Sequence, residues 1–413
     1  MRDDELVAVA ERYGTPVYVY DFDEIRGRAG LFRRSLGPAV GLLYAVKANP
    51  NPEILKDALR WADGLDVSSG GEIRLCVNAG WPASALSFAG PGKTDKELEL
   101  AATVGCGSIS VESRDDLRRI LAAGERTRTV PQISLRVNPL ELAGPFALKM
   151  GGKPTQFGVD EEEAPSVIEE IAKEVSAGRA EYAGLHVYAG TQCLDPEALV
   201  ANVKNSLRIA AELGAAGALK APKINLGGGF GVPYYEGQDE LDVASAGRGI
   251  AAAVKEYAQA YPGTSFVIEL GRYLVSPPGR YLSRVLAVKE SRGKTYAILD
   301  GGMHQHNSAS GNLGQTIKRN YPLKNLSNPG GTLKTTELAG CLCTPIDLLG
   351  FGASLPETRV GDLICVENSG AYGFTASPLF FLGHETPAEI GWEQGESRVI
   401  RKPFTLSEIS GRP

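Results

Sequence analysis

Eight times between residues 41 and 274, a short apolar run gives way to a polar turn and then to a segment of helical periodicity. The strand-like runs are GLLYAVKAN (41–49), GLDVSS (64–69), ALSFAGP (85–91), SISVES (108–113), QISLRVNP (132–139), YAGLHVYAGTQ (182–192), KINLGGGFG (223–231) and SFVIELGRYL (265–274). Helical segments such as TDKELELAATVG and SRDDLRRILAAG lie between them. Several open on Ser, Thr or Asp and close at Gly, the residues that cap helix ends. Near-continuous apolar strands are buried on both faces, as in a parallel sheet covered by helices. Eight such units predict an α/β chain with a TIM-type (β/α)8 barrel over residues 30–275. An open doubly wound sheet is the alternative, which the lack of an early GxGxxG disfavours.

After residue 275 the helical periodicity stops. YLSRVLAVKESRGKTYAILDGG reads as a hairpin turning at Ser291–Lys294, and TLKTTELAG, DLICVEN and VIRKPFTL read as further strands. VYVYD (17–21) also has strand character. Residues 1–29 and 276–413 are therefore expected to form one discontinuous all-β domain, Greek-key or sandwich-like. The long stretch 144–160 has the length of a lid or specificity loop.

Lys and Arg number 43 against 49 Asp and Glu, a net charge of −6. That balance argues against a general nucleic-acid binder, which needs clustered cations for phosphates. No apolar run approaches the ~20 residues of a membrane span. The opening MRDDELVAVAERYG is acidic and unlike a secretion signal, so a cytoplasmic protein is expected. Six Cys are too sparse for a disulfide framework, none forms CxxC, and no metal site is expected.

Reactive groups of a barrel sit at the C-terminal strand ends. Lys47 stands there between Val and Ala, where desolvation would lower its pKa and favour Schiff-base chemistry; a snorkelling lysine is the bland alternative. Gly227, Gly228 and Gly229 can turn N–H groups toward a phosphate, or simply make a tight turn. Glu269 could meet a protonated ring nitrogen and Arg272 a phosphate; a rim salt bridge is the other reading. His186 and Tyr188 share a strand face, where an aromatic could stack on a flat cofactor. A Schiff-base lysine, a phosphate cradle, a pyridinium carboxylate and a stacking ring together specify pyridoxal 5′-phosphate.

YAVKANPNP, HVYAGTQ, NLGGGFG, ELGRYLV, DGGM, GCLCTPID and GAYG follow in order across residues 44–373. In this the chain resembles the fold-type III pyridoxal-phosphate decarboxylases, the group of the diaminopimelate, ornithine and arginine enzymes. The resemblance implies a barrel plus a β-domain and a homodimer with shared active sites. It implies that Lys47 binds the cofactor covalently and that Glu269 holds its ring nitrogen. Gly227, Gly228, Gly229, Gly271, Arg272, Thr191 and Tyr372 would serve the phosphate. Tyr188 would stack where the family usually has His, and Asp66, Glu72 and Arg136 match further site positions. Cys343, from the partner chain, would be the catalytic acid.

Three departures bear on substrate. The ring-stacking position is Tyr188, and the acidic residue that binds a distal ammonium beside the catalytic Cys is replaced by Thr344. The Arg and Tyr that follow DGGM in diaminopimelate enzymes are missing from DGGMHQHNSASGNLG. A distal end without free charge is implied. KMGGKPTQFG, NLGGGFGVPY, DGGMHQH, RNYP, LCTP and NSGAYGFTASPLFFLGH resemble a branch of natural-product enzymes, the L-glutamyl-carrier-protein decarboxylases known from butirosin biosynthesis and their aspartyl and 3-methylaspartyl relatives. These remove the α-carboxyl of an acidic aminoacyl group held as a thioester on an acyl carrier protein. His304, His306, Thr344 and Asp347 are then substrate-site candidates. Lys149, Lys153, Lys318 and Arg319 are candidate carrier-docking cations, or ordinary solvated charges. A decarboxylase of a free amino acid is the competing reading.

Overall fold

A computed structural model describes residues 1–142, 144, 146, 148–215, 219–235, 237–313, 315, 318–405, 407 and 408, apart from the side chains of 148 and 149. The chain divides into two compact units. One comprises Arg28–Val232 and Glu240–Gly271; the other comprises Met1–Gly27, Pro233–Asp239 and Arg272–Pro413.

The first unit is a closed parallel barrel. Its strands are β1 (Val40–Ala45), β2 (Gly64–Val67), β3 (Leu86–Phe88), β4 (Ser108–Val111), β5 (Gln132–Asn138), β6 (Glu181–Val187), β7 (Lys223–Asn225) and β8 (Ser265–Leu270). Each pairs with the next, and β8 pairs back onto β1. Every residue of β2 and β4 is buried, which explains why their sequences do not alternate.

Capping follows the sequence closely. Ser69, Thr94, Ser113 and Asp242 each accept a backbone N–H from the first turn of the following helix. One helix outruns its expected end. Arg114–Thr127 continues through Gly124, because that glycine serves close packing rather than termination. A Cβ there would stand 2.8 Å from Pro131 Cδ and 3.0 Å from the Thr129 carbonyl oxygen. The helix instead ends at Arg128, which takes the left-handed conformation at φ 56°.

The second unit is built on a mixed sheet. Val17–Asp21 runs antiparallel to Gly279–Ser291 and parallel to Ala388–Glu393, so the N-terminal strand does join the C-terminal sheet. The predicted hairpin pairs Gly279–Ser291 with Lys294–Leu299 through Arg292 and Gly293, both at positive φ. Leu6, Val9, Val17, Val19, Leu282, Leu363 and Ile390 form one of its buried clusters. Within the stretch 144–160, Leu148–Lys149 pairs with Gly190–Thr191, and Val159–Asp160 extends beside β5. Among the described residues, no helix is long and apolar enough to cross a membrane.

Candidate active site

The parallel register brings polar side chains to one layer of the barrel. Arg136 on β5, His186 on β6 and Asn225 on β7 are register partners, so their side chains leave the sheet on the same face. Glu269 follows on β8, Asp66 on β2, and Lys47 in the single 3-10 turn after β1. All of these but Lys47 are buried. Val46 and Ala48 point into the core at 0% and 1% exposure. The Lys47 side chain emerges with 41% of its surface accessible. More than half of its surface is thus withdrawn from solvent. Its Nζ lies 3.5 Å from Asp66 Oδ2 and 5.9 Å from the centre of the Tyr188 ring.

Glu269 accepts a short hydrogen bond from Asn225 Nδ2, and its Oε1 is 3.4 Å from His186 Nε2. The latter contact is not an ion pair. Burial, followed by the nearby Arg136 cation, pushes the His186 pKa down to about 3, so the imidazole is neutral. Burial raises the Glu269 pKa, against Lys47 and the Asn225 bond, which lower it. Asp66 is raised to about 6, first by burial and then by the charge of Glu269. Its Oδ1, like His186 Nε2, finds no hydrogen-bond partner among the described residues. Arg136 forms a buried pair with Glu112 at 2.9 Å, and Glu112 also accepts from the Gly90 and Gly158 N–H groups. Glu72 accepts from the Ser68 N–H, and burial raises its pKa, with Asp66 adding to the effect.

The glycines after β7 are required by close approach. A Cβ on Gly228 would lie 1.9 Å from the Glu269 carbonyl oxygen, and one on Gly227 2.6 Å from that of Val187. Asn225 ties this loop to the carboxylate layer, because its Oδ1 accepts the Gly227 N–H while its amide donates to Glu269. Gly271 allows its backbone to pass Ala48 and Ala45, where a Cβ would meet their Cβ atoms at 2.8 and 3.2 Å. Thr191 is half-buried on the short strand beside Leu148–Lys149.

In the second unit, Arg272 opens a one-turn helix rather than continuing β8. Its guanidinium carbon is 4.6 Å from the Tyr372 ring centre and 5.4 Å from that of Tyr234, whose hydroxyl accepts from Nη1 at 3.2 Å. Arg272 Nε is buried without a partner among the described residues. Tyr372 sits at φ 54°, an uncommon conformation for an aromatic residue. Cys343 is exposed and Thr344 half-buried.

Three substrate candidates are enclosed by their surroundings. His306 is fully buried, its rings-only neighbours Tyr18, Tyr281 and Tyr321 lie at centroid distances of 5.6–5.7 Å, and its Nε2 bonds to Ser369 Oγ. It is a core residue. Asp347 uses its carboxylate on the Met303 and Leu342 N–H groups, and so anchors two loops. His304 is likewise sealed, at 0% exposure. Of the docking candidates, Lys153, Lys318 and Arg319 are exposed; the Lys149 side chain lies outside the described residues. Lys318 bonds Asn312 at 3.0 Å, and Arg319 lies over the Tyr235 ring.

Residues 22–276 match the family model described as the pyridoxal binding domain of the pyridoxal-dependent decarboxylases. The chain belongs to that family. It is 37% identical to the L-glutamyl-[BtrI acyl-carrier protein] decarboxylase of Niallia circulans over 98% of this chain and 95% of that one. It is 33% identical to a Staphylococcus aureus 2-[(L-alanin-3-ylcarbamoyl)methyl]-2-hydroxybutanedioate decarboxylase over 90% of this chain and 92% of that one. Among solved structures, diaminopimelate decarboxylase from Helicobacter pylori, complexed with L-lysine, superposes with a TM-score of 0.86 at 28% identity, covering 98% of each chain.

This pyridoxal-dependent decarboxylase uses pyridoxal 5′-phosphate, and its residues fit that group. The barrel layer offers a partly exposed primary amine, two raised carboxylates suited to a cationic ring nitrogen, and a glycine loop with no room for side chains.

The carboxylate layer has a consequence for stability. A folded-state pKa above 3.8 means that ionised Asp66 opposes folding. That opposition is absent below about pH 4 and complete above the folded pKa of about 6. A shift of this size corresponds to about 3 kcal/mol. Asp66→Asn should therefore stabilise the cofactor-free protein at pH 8 by up to that amount, and much less at pH 4.5. Guanidinium denaturation at the two pH values checks this; equal gains at both would contradict it.

Proposed function

We propose that this decarboxylase acts on an acidic aminoacyl group, glutamyl, aspartyl or 3-methylaspartyl, held as a thioester on an acyl carrier protein in natural-product biosynthesis. The observation that carries this reading is the 37% identity, across nearly the whole chain, to an enzyme named for a glutamyl carrier-protein substrate. Thr344 supports it, since a neutral side chain beside Cys343 suits a substrate whose distal end is an uncharged thioester.

In this reading Lys47 would hold the cofactor covalently, and Glu269, oriented by Asn225, would serve its ring nitrogen. Tyr188 would serve its ring. Gly227, Gly228, Gly229, Gly271 and Thr191 would serve the phosphate, with Arg272 and Tyr372 supplying a cation and a cap. The bound cofactor supplies an electron sink for the pair left on the α-carbon when the carboxylate departs as carbon dioxide. Asp66 holds Lys47 in place, and Arg136 is held by its buried pair with Glu112. Cys343 gives its thiol proton to the α-carbon, serving the site of a partner subunit in a homodimer. Lys153, Lys318 and Arg319 attract the acidic carrier.

Of carrier proteins loaded with each of the three acids, at least one should lose carbon dioxide, as read by intact-protein mass spectrometry. Carrier-bound substrate should exceed the free amino acid in kcat/KM by about 100-fold, or about 3 kcal/mol. Equal turnover of a free amino acid would replace this reading with that of a free amino-acid decarboxylase.

A further inference from the structure

The second unit contains a polar cluster that the decarboxylation chemistry does not use. His304, Cys341 and His384 come from three separate segments, yet their ligand atoms all lie within 4.8 Å of one another. Cys341 Sγ is 3.9 Å from His384 Nε2, and the two imidazole rings are 5.0 Å apart. His304 has 0% exposure, and neither of its nitrogens has a hydrogen-bond partner among the described residues. A buried imidazole with both nitrogens unsatisfied is unfavourable unless something binds there.

From this geometry we infer that His304, Cys341 and His384 form a mononuclear zinc site. Two imidazoles and a thiolate are the donor set that a borderline-soft divalent ion prefers. Zn–S and Zn–N bonds of about 2.3 and 2.0 Å place tetrahedral S and N ligands about 3.5 Å apart, within a few tenths of an ångström of the Cys341–His384 separation. Three protein ligands leave a fourth position for water. On binding, Cys341 releases its thiol proton to solvent and no oxidation state changes.

One carboxylate already ties two of the three segments together. Asp347 accepts the Met303 and Leu342 N–H groups, each next to a ligand residue, and so pins the two turns that carry His304 and Cys341. Gly302 and Gly340 let those turns close on the carboxylate, since a Cβ at either would lie 2.2–2.4 Å from its oxygens. The metal would add the third segment, at His384, to this clasp. It would also fix the loop bearing exposed Cys343, two residues beyond a ligand. The site is independent of the substrate assigned above.

The test uses the full-length holoenzyme, equilibrated with zinc and dialysed into metal-free buffer. Elemental mass spectrometry should find about one zinc per chain. Cys341→Ser and His384→Ala should each lower retained zinc at least about tenfold, while Cys343→Ser, outside the ligand set, keeps it. Cobalt loaded in place of zinc should show a thiolate-to-metal charge-transfer band in the parent protein and not in Cys341→Ser. Far-UV circular dichroism checks the folding of each variant, and the parent cobalt spectrum decides the matter if a variant unfolds. Parent protein that keeps no zinc above background and gives no cobalt–thiolate band overturns the inference. So does full retention by both ligand variants.

Discussion

Lys47→Ala should lower turnover by at least about 10⁴-fold, because it removes the residue proposed to join the cofactor to the protein. The fold gives this substitution a clean reading. Lys47 lies on a single 3-10 turn whose apolar contacts come from Val46 and Ala48, while its own side chain is 41% exposed. Removing it deletes no core packing but takes away the cation 3.5 Å from buried Asp66, so some loss of thermal stability at neutral pH should accompany it. The variant should lose the visible absorbance of covalently held cofactor and still bind cofactor reversibly through the glycine loop. Normal turnover with that absorbance intact would sink the assignment.

Cys343→Ala should lower kcat by about 10²- to 10⁴-fold, the range for loss of a positioned proton donor. The thiol is exposed, so the change costs no buried contact, and cofactor absorbance should be unaffected. Cys343→Ser should fall between, since a hydroxyl is a far weaker acid. Mixing Lys47→Ala with Cys343→Ala subunits then tests the shared site. A homodimer that exchanges subunits would recover up to about a quarter of parental activity, because about half of the dimers are mixed and each of those has one intact site of two. Absence of recovery, with exchange demonstrated, would place Cys343 in its own subunit's site.

The barrel was readable because its strands are short, apolar and separated by helices with ordinary caps. Lys47, Glu269 and the Gly227–Gly229 run stood at strand ends, where barrels keep their chemistry. Other parts of the layer were harder to see. Asn225 could have been found from its place two residues before Gly227, where an Asn side chain reaches the backbone N–H. Glu112 carried a weaker signal, a lone acid ending an apolar run. Nothing local announced that Arg136 would need it, since the pair spans β4 and β5.

The same limit separates the two levels of description throughout this protein. Periodicity and ordered motifs were sufficient for the barrel, the family and the cofactor, because each of those signals is local along the chain. Burial and cross-chain proximity are not local. The sequence set Lys47 between Val46 and Ala48, and the fold buried those two while leaving the lysine side chain partly accessible. It offered His306 and Asp347 as polar side chains, and only the fold showed one among aromatic rings and the other on two backbone N–H groups. It showed no metal motif, yet folding brought His304, Cys341 and His384 together from distant segments. A side chain's chemical identity is written at its own position, but its dielectric surroundings and partners come from residues that only folding makes neighbours.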